Sequence, residues 1–326
     1  MPRIVLCRPL HPTALAILEQ QPDLTIVHLN KPDRATLAAA AADAAAVLVG
    51  LEPVDSGLLD RAPALRAVSR FGVGYDLIDI PACTRRGIGV GVVNGANDLA
   101  VSEHTLGLML AVAHRIVEHD ANVRAGKWMV PDGRPMGDLA GRSVLVVGYG
   151  RIGTRVARLC AAFRMRVMVI DPAFPTPRIA ADGYVPVTDL MAGLAEADVV
   201  TLHCPANALT TRMIGAEALS VMKPTAWLIN AARGALVDEP ALIDALQSGR
   251  IAAAGLDVLV TEPPDQANPL FAMPNVVLSP HNAAATTECF ETMSVRAARN
   301  VVEILNGSID PGFLVNPEIL PTRRNV

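Results

Sequence analysis

The sequence predicts an α/β protein with two doubly wound parallel sheets, because short apolar runs alternate with helical segments along its 326 residues. The apolar runs are short and continuous, which is typical of parallel strands that helices cover on both faces. A chain of this length can also build two separate hydrophobic cores. We therefore expect two domains with a cleft between them.

The first part of the chain predicts one α/β unit of about one hundred residues. Its strands are expected at Ile4 to Cys7, Leu24 to Leu29, Ala46 to Val49, Leu65 to Ser69 and Gly89 to Val93. Its helices are expected at Thr13 to Gln20, Arg34 to Asp43, Ser56 to Arg61 and Ile80 to Arg86.

A long helical stretch follows, from Asn97 to Gly126, with Gly126 at the position of a helix C-cap. It is longer than an ordinary crossover helix, which favours a connector between domains. The alternative is a long helix with a break near Gly107.

The rest of the chain predicts the second doubly wound sheet. Strands are expected at Val144 to Val147, Arg166 to Ile170, Val199 to His203, Ala226 to Asn230, Ala252 to Leu256 and Val276 to Ser279. A last helix is expected from Thr286 to Leu305, and a helix of that length could return to the first sheet.

Glycines in a GxGxxG spacing follow the first strand of the second sheet. Gly148 can take the dihedral angles of a tight turn, Gly150 leaves room for a pyrophosphate, and Gly153 lets the next helix lie close to the strand. The N-terminus of that helix attracts phosphates. The GxGxxG spacing alone is weak evidence for such a site. However, Asp171 lies 18 positions beyond Gly153, where a carboxylate can hydrogen-bond the diol of a ribose. The segment therefore predicts a dinucleotide site.

Asp171 also favours NAD over NADP as the cofactor. A carboxylate accepts hydrogen bonds from a 2′-hydroxyl but repels a 2′-phosphate, and the next residues, Pro172 and Ala173, supply no arginine to bind one.

Composition argues against several other classes of protein. The net charge of −4 and the lack of a long basic run argue against nucleic acid, and no long apolar stretch is free of charge, which argues against a membrane span. The N-terminus lacks the apolar core of a secretory signal. Five scattered cysteines without a CxxC pair favour reduced thiols, a cytoplasmic location and no metal site.

Three polar side chains follow strands of the second sheet, at the edge where open α/β sheets bind ligands. They are Arg233, Glu262 and His281. Taken one at a time, Arg233 is more typical of a surface ion pair, Glu262 of a loop residue and His281 of a turn cap. Together they match the needs of hydride transfer to a 2-oxo acid: a cation for the carboxylate, a proton donor, and a carboxylate that orients the donor.

The chain resembles the D-2-hydroxyacid dehydrogenase family, which includes phosphoglycerate dehydrogenases and glyoxylate/hydroxypyruvate reductases. The ordered motifs that carry the resemblance are RFGVGYDLID from Arg70, VSEHTLGLML from Val101, GYGRIG from Gly148, LHCP from Leu202, NAARGALVDEPAL from Asn230 and SPHNAA from Ser279. The sequence departs from many members at Asn282 to Ala284, where they have glycines.

The resemblance implies an NAD-dependent enzyme that interconverts a small 2-oxo acid and its D-2-hydroxy acid, with a homodimer as its assembly. It implies a flavodoxin-like substrate-binding domain at residues 1–97 and 287–326, and a Rossmann NAD-binding domain at residues 98–286. The catalytic set it implies is Arg233, Glu262 and His281. The cofactor contacts it implies are Gly148, Gly150, Arg151, Ile152, Gly153, Asp171, Cys204, Pro205, Ala231, Ala232, Arg233, Asp257 and His281.

For the substrate, the resemblance implies backbone contacts at Val73 and Gly74, beside Arg233 and His281. Arg70 precedes this glycine loop and has two interpretations. In the first, Arg70 binds an anionic group at the far end of the substrate, as in 3-phosphohydroxypyruvate. In the second, Arg70 fixes the loop through an ion pair with Asp76 or Asp79.

Two other functions use the same fold. One is an NAD-sensing interaction protein that resembles the transcriptional corepressors of this family. The other is a formate or phosphite dehydrogenase, of which the formate enzymes usually carry an amide where Glu262 stands. The sequence does not name the 2-oxo acid.

Overall fold

Helices alternate with parallel strands along the chain, and the strands form two separate sheets. The computed structural model describes residues 2–22, 24–128 and 136–320. The chain divides into two units, which we call unit 1 (Met1–Asn97 and Ala285–Val326) and unit 2 (Asp98–Ala284). Two doubly wound α/β units confirm the predicted fold class.

Unit 1 contains a five-stranded parallel sheet in the order β2-β1-β3-β4-β5. The strands are β1 (Arg3–Leu6), β2 (Thr25–His28), β3 (Ala44–Val49), β4 (Ala67–Arg70) and β5 (Gly89–Gly91). The helices between them are α1 (Pro12–Glu19), α2 (Arg34–Ala41), α3 (Ser56–Leu59) and α4 (Ile80–Arg85). Every residue of β3 is buried, as a strand covered on both faces requires.

Unit 2 contains a seven-stranded parallel sheet in the order β12-β11-β10-β9-β6-β7-β8. Its first helices are α5 (Asp98–Ala113) and α6 (Ile116–Arg124). The strands are β6 (Ser143–Val147), β7 (Arg166–Ile170), β8 (Val185–Pro186), β9 (Val199–Leu202), β10 (Trp227–Asn230), β11 (Ala253–Leu256) and β12 (Val276–Leu278). The remaining helices are α7 (Arg151–Ala162), α8 (Thr176–Ala181), α9 (Leu190–Glu196), α10 (Ala216–Val221) and α11 (Glu239–Gln247).

The predicted helical stretch from Asn97 to Gly126 is helical over most of its length, but it consists of two helices, α5 and α6. The helix is interrupted at Arg115. The φ of this residue is 49°, in the left-handed region, and this conformation ends the helical hydrogen bonding of α5. The Arg115 guanidinium donates to Glu118 in the first turn of α6, with an Nη2 to Oε1 distance of 2.7 Å. Gly107, the alternative break point, lies inside α5. Gly126 does follow the end of α6 with a φ of +78°, as a helix-ending glycine does.

The last helix, α12 (Thr287–Leu305), belongs to unit 1 and packs on α1, β3 and β4. Two hydrogen bonds join it to β4 and to the residue after β5: Ser69 Oγ donates to Ala297 O at 2.9 Å, and Asn300 Nδ2 donates to Val92 O at 3.0 Å. Among the described helices, none is long and apolar enough to cross a membrane.

Candidate active site

The glycine turn after β6 is built so that only glycine fits at two of its positions. Gly148 has a φ of +97°, and a Cβ there would lie 2.6 Å from Cys204 N. A Cβ at Gly153 would lie 2.0 Å from Gly148 O, so the missing side chain lets α7 pack directly on the turn. A Cβ at Gly150 would meet nothing within 4 Å, which leaves open space at this edge.

Helix α7 begins beside that open space. Its N-cap residue is Gly150, and no side chain caps the helix, so the first-turn N–H groups can serve an anionic ligand. Arg151 is exposed and Ile152 is half-buried in this turn. The turn, the open space and the helix end together fit a pyrophosphate.

Asp171 follows β7 and is held against the glycine turn. Its Oδ2 accepts from Tyr149 N at 2.6 Å, and its Oδ1 accepts from Ala173 N at 2.8 Å. Each carboxylate oxygen keeps a second lone pair, so this half-buried group can still accept from a ribose hydroxyl. The residues present therefore fit an adenine dinucleotide.

Cys204 and Pro205 follow β9, next to the same turn. His203 N donates to Val147 O at 2.7 Å, and this bond places His203 beside the end of β6. Burial raises the pKa of Cys204 to about 11, so this side chain stays a neutral thiol.

His281 and Glu262 form a close pair in unit 2. His281 Nδ1 lies 2.5 Å from Glu262 Oε2, and the other oxygen of Glu262 accepts from Leu259 N at 3.1 Å. The two side chains are 32% and 26% exposed. With Nδ1–H donated to the carboxylate, Nε2 is the nitrogen that can give or take a proton.

A buried carboxylate holds the loop that carries His281. His281 has a left-handed φ of 51°, and its N–H donates to Asp257 O at 2.7 Å. Asp257 is 2% exposed. Its Oδ1 accepts from Ser279 Oγ at 2.6 Å and from Asn282 N at 3.0 Å, and its Oδ2 accepts from Ala283 N at 3.1 Å. Asp257 therefore fixes the backbone on both sides of His281.

His104 of α5 completes this network. Its Nε2 lies 2.8 Å from Ser279 Oγ and 3.4 Å from Asp257 Oδ1. Burial opposes ionisation of Asp257, but hydrogen bonds from His104, Ser279 and the loop N–H groups lower the pKa of this carboxyl to about 2. Sequence reasoning missed His104 and Ser279 as positioning residues.

Arg233 lies in the turn after β10. The side chain of Asn230 shapes this turn, because its Nδ2 donates to Arg233 O at 2.9 Å and its Oδ1 accepts from Ala232 N at 3.1 Å. A Cβ at Gly234 would lie 2.0 Å from Leu259 O, so the turn packs tightly on the loop of Glu262. The structure thus brings the segments of all three predicted catalytic residues together at one edge of unit 2.

The predicted substrate residues of unit 1 lie at the end of β4. Arg70 Nε donates to Gly74 O at 2.9 Å, and its Nη1 donates to Phe71 O. Val73 and Gly74 are half-buried. Asp79 caps α4 by accepting from Ala82 N at 2.9 Å. The contacts of Arg70 favour a role in fixing the loop, through backbone carbonyls.

Comparison with known proteins identifies relatives of this chain. Residues 106–283 match the family model for the NAD binding domain of D-isomer specific 2-hydroxyacid dehydrogenases. The chain is 39% identical to a glyoxylate reductase of Thermofilum pendens, over 99% of this chain and 96% of the relative. It is 38% identical to a D-3-phosphoglycerate dehydrogenase of Mycobacterium tuberculosis, over 98% of this chain and 61% of the relative.

Among solved structures, the chain is similar to an NADPH-dependent glyoxylate/hydroxypyruvate reductase of Sinorhizobium meliloti in complex with NADP and malonate. The TM-score is 0.84 at 30% identity, and the match covers 100% of this chain and 99% of that one. The glycine turn, the histidine–glutamate pair and these similarities lead to one conclusion. The chain belongs to the D-isomer specific 2-hydroxyacid dehydrogenase family and is an NAD-binding oxidoreductase.

Proposed function

We propose that this protein interconverts a small 2-oxo acid and its D-2-hydroxy acid, with Arg233 binding the carboxylate and His281, paired with Glu262, as the acid and base. The observation that carries the proposal is the 2.5 Å contact between His281 Nδ1 and Glu262 Oε2. A carboxylate in that position stabilises a protonated imidazole and fixes the orientation of its ring.

Bound NADH would supply the hydride that the oxo carbon of the substrate accepts. His281 gives the proton from Nε2 to the oxo oxygen, which becomes the hydroxyl of the product. In the reverse direction the neutral ring takes that proton back. Glu262 remains a carboxylate in both directions and keeps Nδ1–H in place.

The planar guanidinium of Arg233 can bind a carboxylate through two parallel hydrogen bonds. We propose that the backbone N–H groups of Val73 and Gly74 bind the same carboxylate. The role of Arg70, as a ligand for a distal anion or as a residue that fixes its loop, stays a prediction.

The cofactor residues are proposed from the fit of the glycine turn. Gly148, Gly150 and Gly153, with Arg151 and Ile152, would hold the pyrophosphate, and Asp171 would hold the adenosine ribose and favour NAD over NADP. Further proposed contacts are Cys204 and Pro205 for the adenine side, and Ala231, Ala232, Arg233, Asp257 and His281 for the nicotinamide.

We propose a homodimer as the assembly. Helix α6 has no buried residue and exposes Ile116, Val117 and Val123, an apolar surface that a second copy of the chain would cover. The five cysteines are all free, which supports a reducing, cytoplasmic location. Light scattering on dilution tests the dimer: a monomer at every concentration would contradict it.

The function is tested by following NADH oxidation with glyoxylate, hydroxypyruvate, pyruvate, phenylpyruvate, 3-phosphohydroxypyruvate and sulfopyruvate. We expect turnover with at least one of them and loss of turnover in His281→Gln. Binding of NADH without turnover of any substrate would favour an NAD-sensing interaction protein. NAD reduction by phosphite or formate would favour those dehydrogenases.

A further inference from the structure

The loop that carries Glu262 has no regular structure of its own. Residues 259–268, all of them described, form neither helix nor strand, and a 3₁₀ helix at Pro269–Ala272 follows them. Pro263 and Pro264 lie in the middle of the loop and have no backbone N–H to donate. The position of Glu262 therefore depends on contacts at the two ends of the loop.

Two successive N–H groups at the first end of the loop bind two different glutamates. Leu259 N donates to Glu262 Oε1 at 3.1 Å, and Val260 N donates to Glu239 Oε2 at 3.0 Å. These two peptide groups meet at the Leu259 Cα atom, so fixing one of them restricts the other. The second oxygen of Glu262 lies 2.5 Å from His281 Nδ1. A change at Glu239 can therefore reach His281 through the loop.

The same carboxylate also holds the second end of the loop. Glu239 Oε1 accepts from Asn268 Nδ2 at 2.8 Å, and Asn268 Oδ1 accepts from Leu270 N at 3.0 Å. Leu270 is 1% exposed, so this end is anchored in the core of unit 2. Each oxygen of the half-buried Glu239 carboxylate thus binds one end of the loop. Hydrogen bonds to a charged acceptor are stronger than those between neutral groups.

Helix α11 gives Glu239 a fixed base beside the turn of Arg233. Glu239 lies in the first turn of this helix, where the helix dipole favours a carboxylate. The turn of Arg233 leads from β10 towards α11, and a Cβ at Gly234 would lie 2.6 Å from Val260 N. Glu239 therefore joins the segments of Arg233 and Glu262 at a point where their backbones already pack closely.

We propose that Glu239 is a positioning residue for the reaction, because its carboxylate holds both ends of the loop at the place where Glu262 meets His281 Nδ1. Glu239 acts through Glu262 and exchanges no proton with the substrate. The inference rests on the proposed function, since it adds a third residue to the acid–base pair of that enzyme.

The kinetic test uses the 2-oxo acid that the unmodified protein reduces fastest. In Glu239→Ala, kcat should fall roughly tenfold while KM for NADH stays unchanged, because the loop carries Glu262. Glu239→Gln keeps one acceptor oxygen, so it should lose less and guards against a folding defect in the alanine variant. In a Glu262→Gln background, Glu239→Ala should cause little further loss. An unchanged kcat in Glu239→Ala, or an equal loss in both backgrounds, overturns the proposal.

A second readout does not need turnover. Hydrogen exchange of the Leu259 amide, measured by NMR without cofactor, reports the bond from Leu259 N to Glu262, and it should be about tenfold faster in Glu239→Ala than in the unmodified protein. Glu217→Ala is the matched control, because Glu217 is exposed in the first turn of α10; it should leave the exchange unchanged. Unchanged exchange in Glu239→Ala overturns the positioning role, whereas absence of reductase activity in the unmodified protein overturns only the proposed function.

Discussion

Asp257 Oδ1 accepts a hydrogen bond from Ser279 Oγ at 2.6 Å, and this contact ties a buried strand end to the loop of His281. The Asp257 backbone carbonyl accepts from His281 N, and its carboxylate accepts from the two residues that follow. The position of the proposed acid and base therefore depends on residues that need not touch the substrate themselves.

Removing the Ser279 hydroxyl should loosen that loop. In Ser279→Ala we expect kcat/KM to fall roughly tenfold, since small displacements of a catalytic group are costly. Ser279→Thr keeps the hydroxyl and should retain most of the activity. Ser220→Ala is the control, because the exposed Ser220 hydroxyl donates only to Glu217 O within α10. Full activity of Ser279→Ala in steady-state kinetics would show that the loop holds without this bond.

The Asp257 carboxylate should also stabilise the fold in a pH-dependent manner. Its pKa of about 2 in the folded protein lies below the ordinary value of 3.8, so its contribution is complete above about pH 4 and is lost as the pH falls towards 2. Near pH 7 we expect Asp257→Asn to lower the free energy of unfolding by about 2 kcal/mol. Urea unfolding of both proteins near pH 7, 4 and 3 measures the difference, which should shrink at the lowest pH; a constant difference would contradict this.

Asp171 should determine the choice of cofactor. The unmodified protein should prefer NADH to NADPH, and Asp171→Ala should weaken NADH binding by roughly 1–3 kcal/mol, as expected for a lost charge-assisted hydrogen bond. Fluorescence titration measures both affinities. Asp189→Ala removes a comparable backbone contact, to Met191 N at 3.0 Å, and should leave NADH binding unchanged. Equal use of NADPH by the unmodified protein would remove Asp171 from this role.

Arg233→Lys should lose much of kcat/KM although the positive charge remains, because an ammonium group cannot reproduce the two parallel bonds of the guanidinium. We expect a loss of roughly tenfold or more in steady-state kinetics. Arg250→Lys, at an exposed position beyond α11, is the matched control. If Arg233→Lys has normal kinetics, the carboxylate is bound elsewhere.

Local sequence predicted much of this site, because several of its parts are short motifs. The glycine turn, Asp171 and the strand ends before Arg233 and His281 follow from the spacing of a few residues. The contact of His104 with Ser279 joins positions 175 residues apart, and no local pattern indicates it. The break at Arg115 was also missed, since a left-handed residue that is neither glycine nor asparagine gives no sequence signal. The two-residue strand β8 was too short to detect.

The most direct test of the account is the pH dependence of 2-oxo acid reduction by the unmodified protein and by Glu262→Gln, measured as NADH oxidation. The rate should fall as the pH rises, because reduction needs the protonated imidazole of His281. In Glu262→Gln the pH of half-maximal rate should move lower, because a neutral amide no longer stabilises that cation. An identical pH profile in the variant would contradict the assignment of Glu262 and His281 as the acid–base pair.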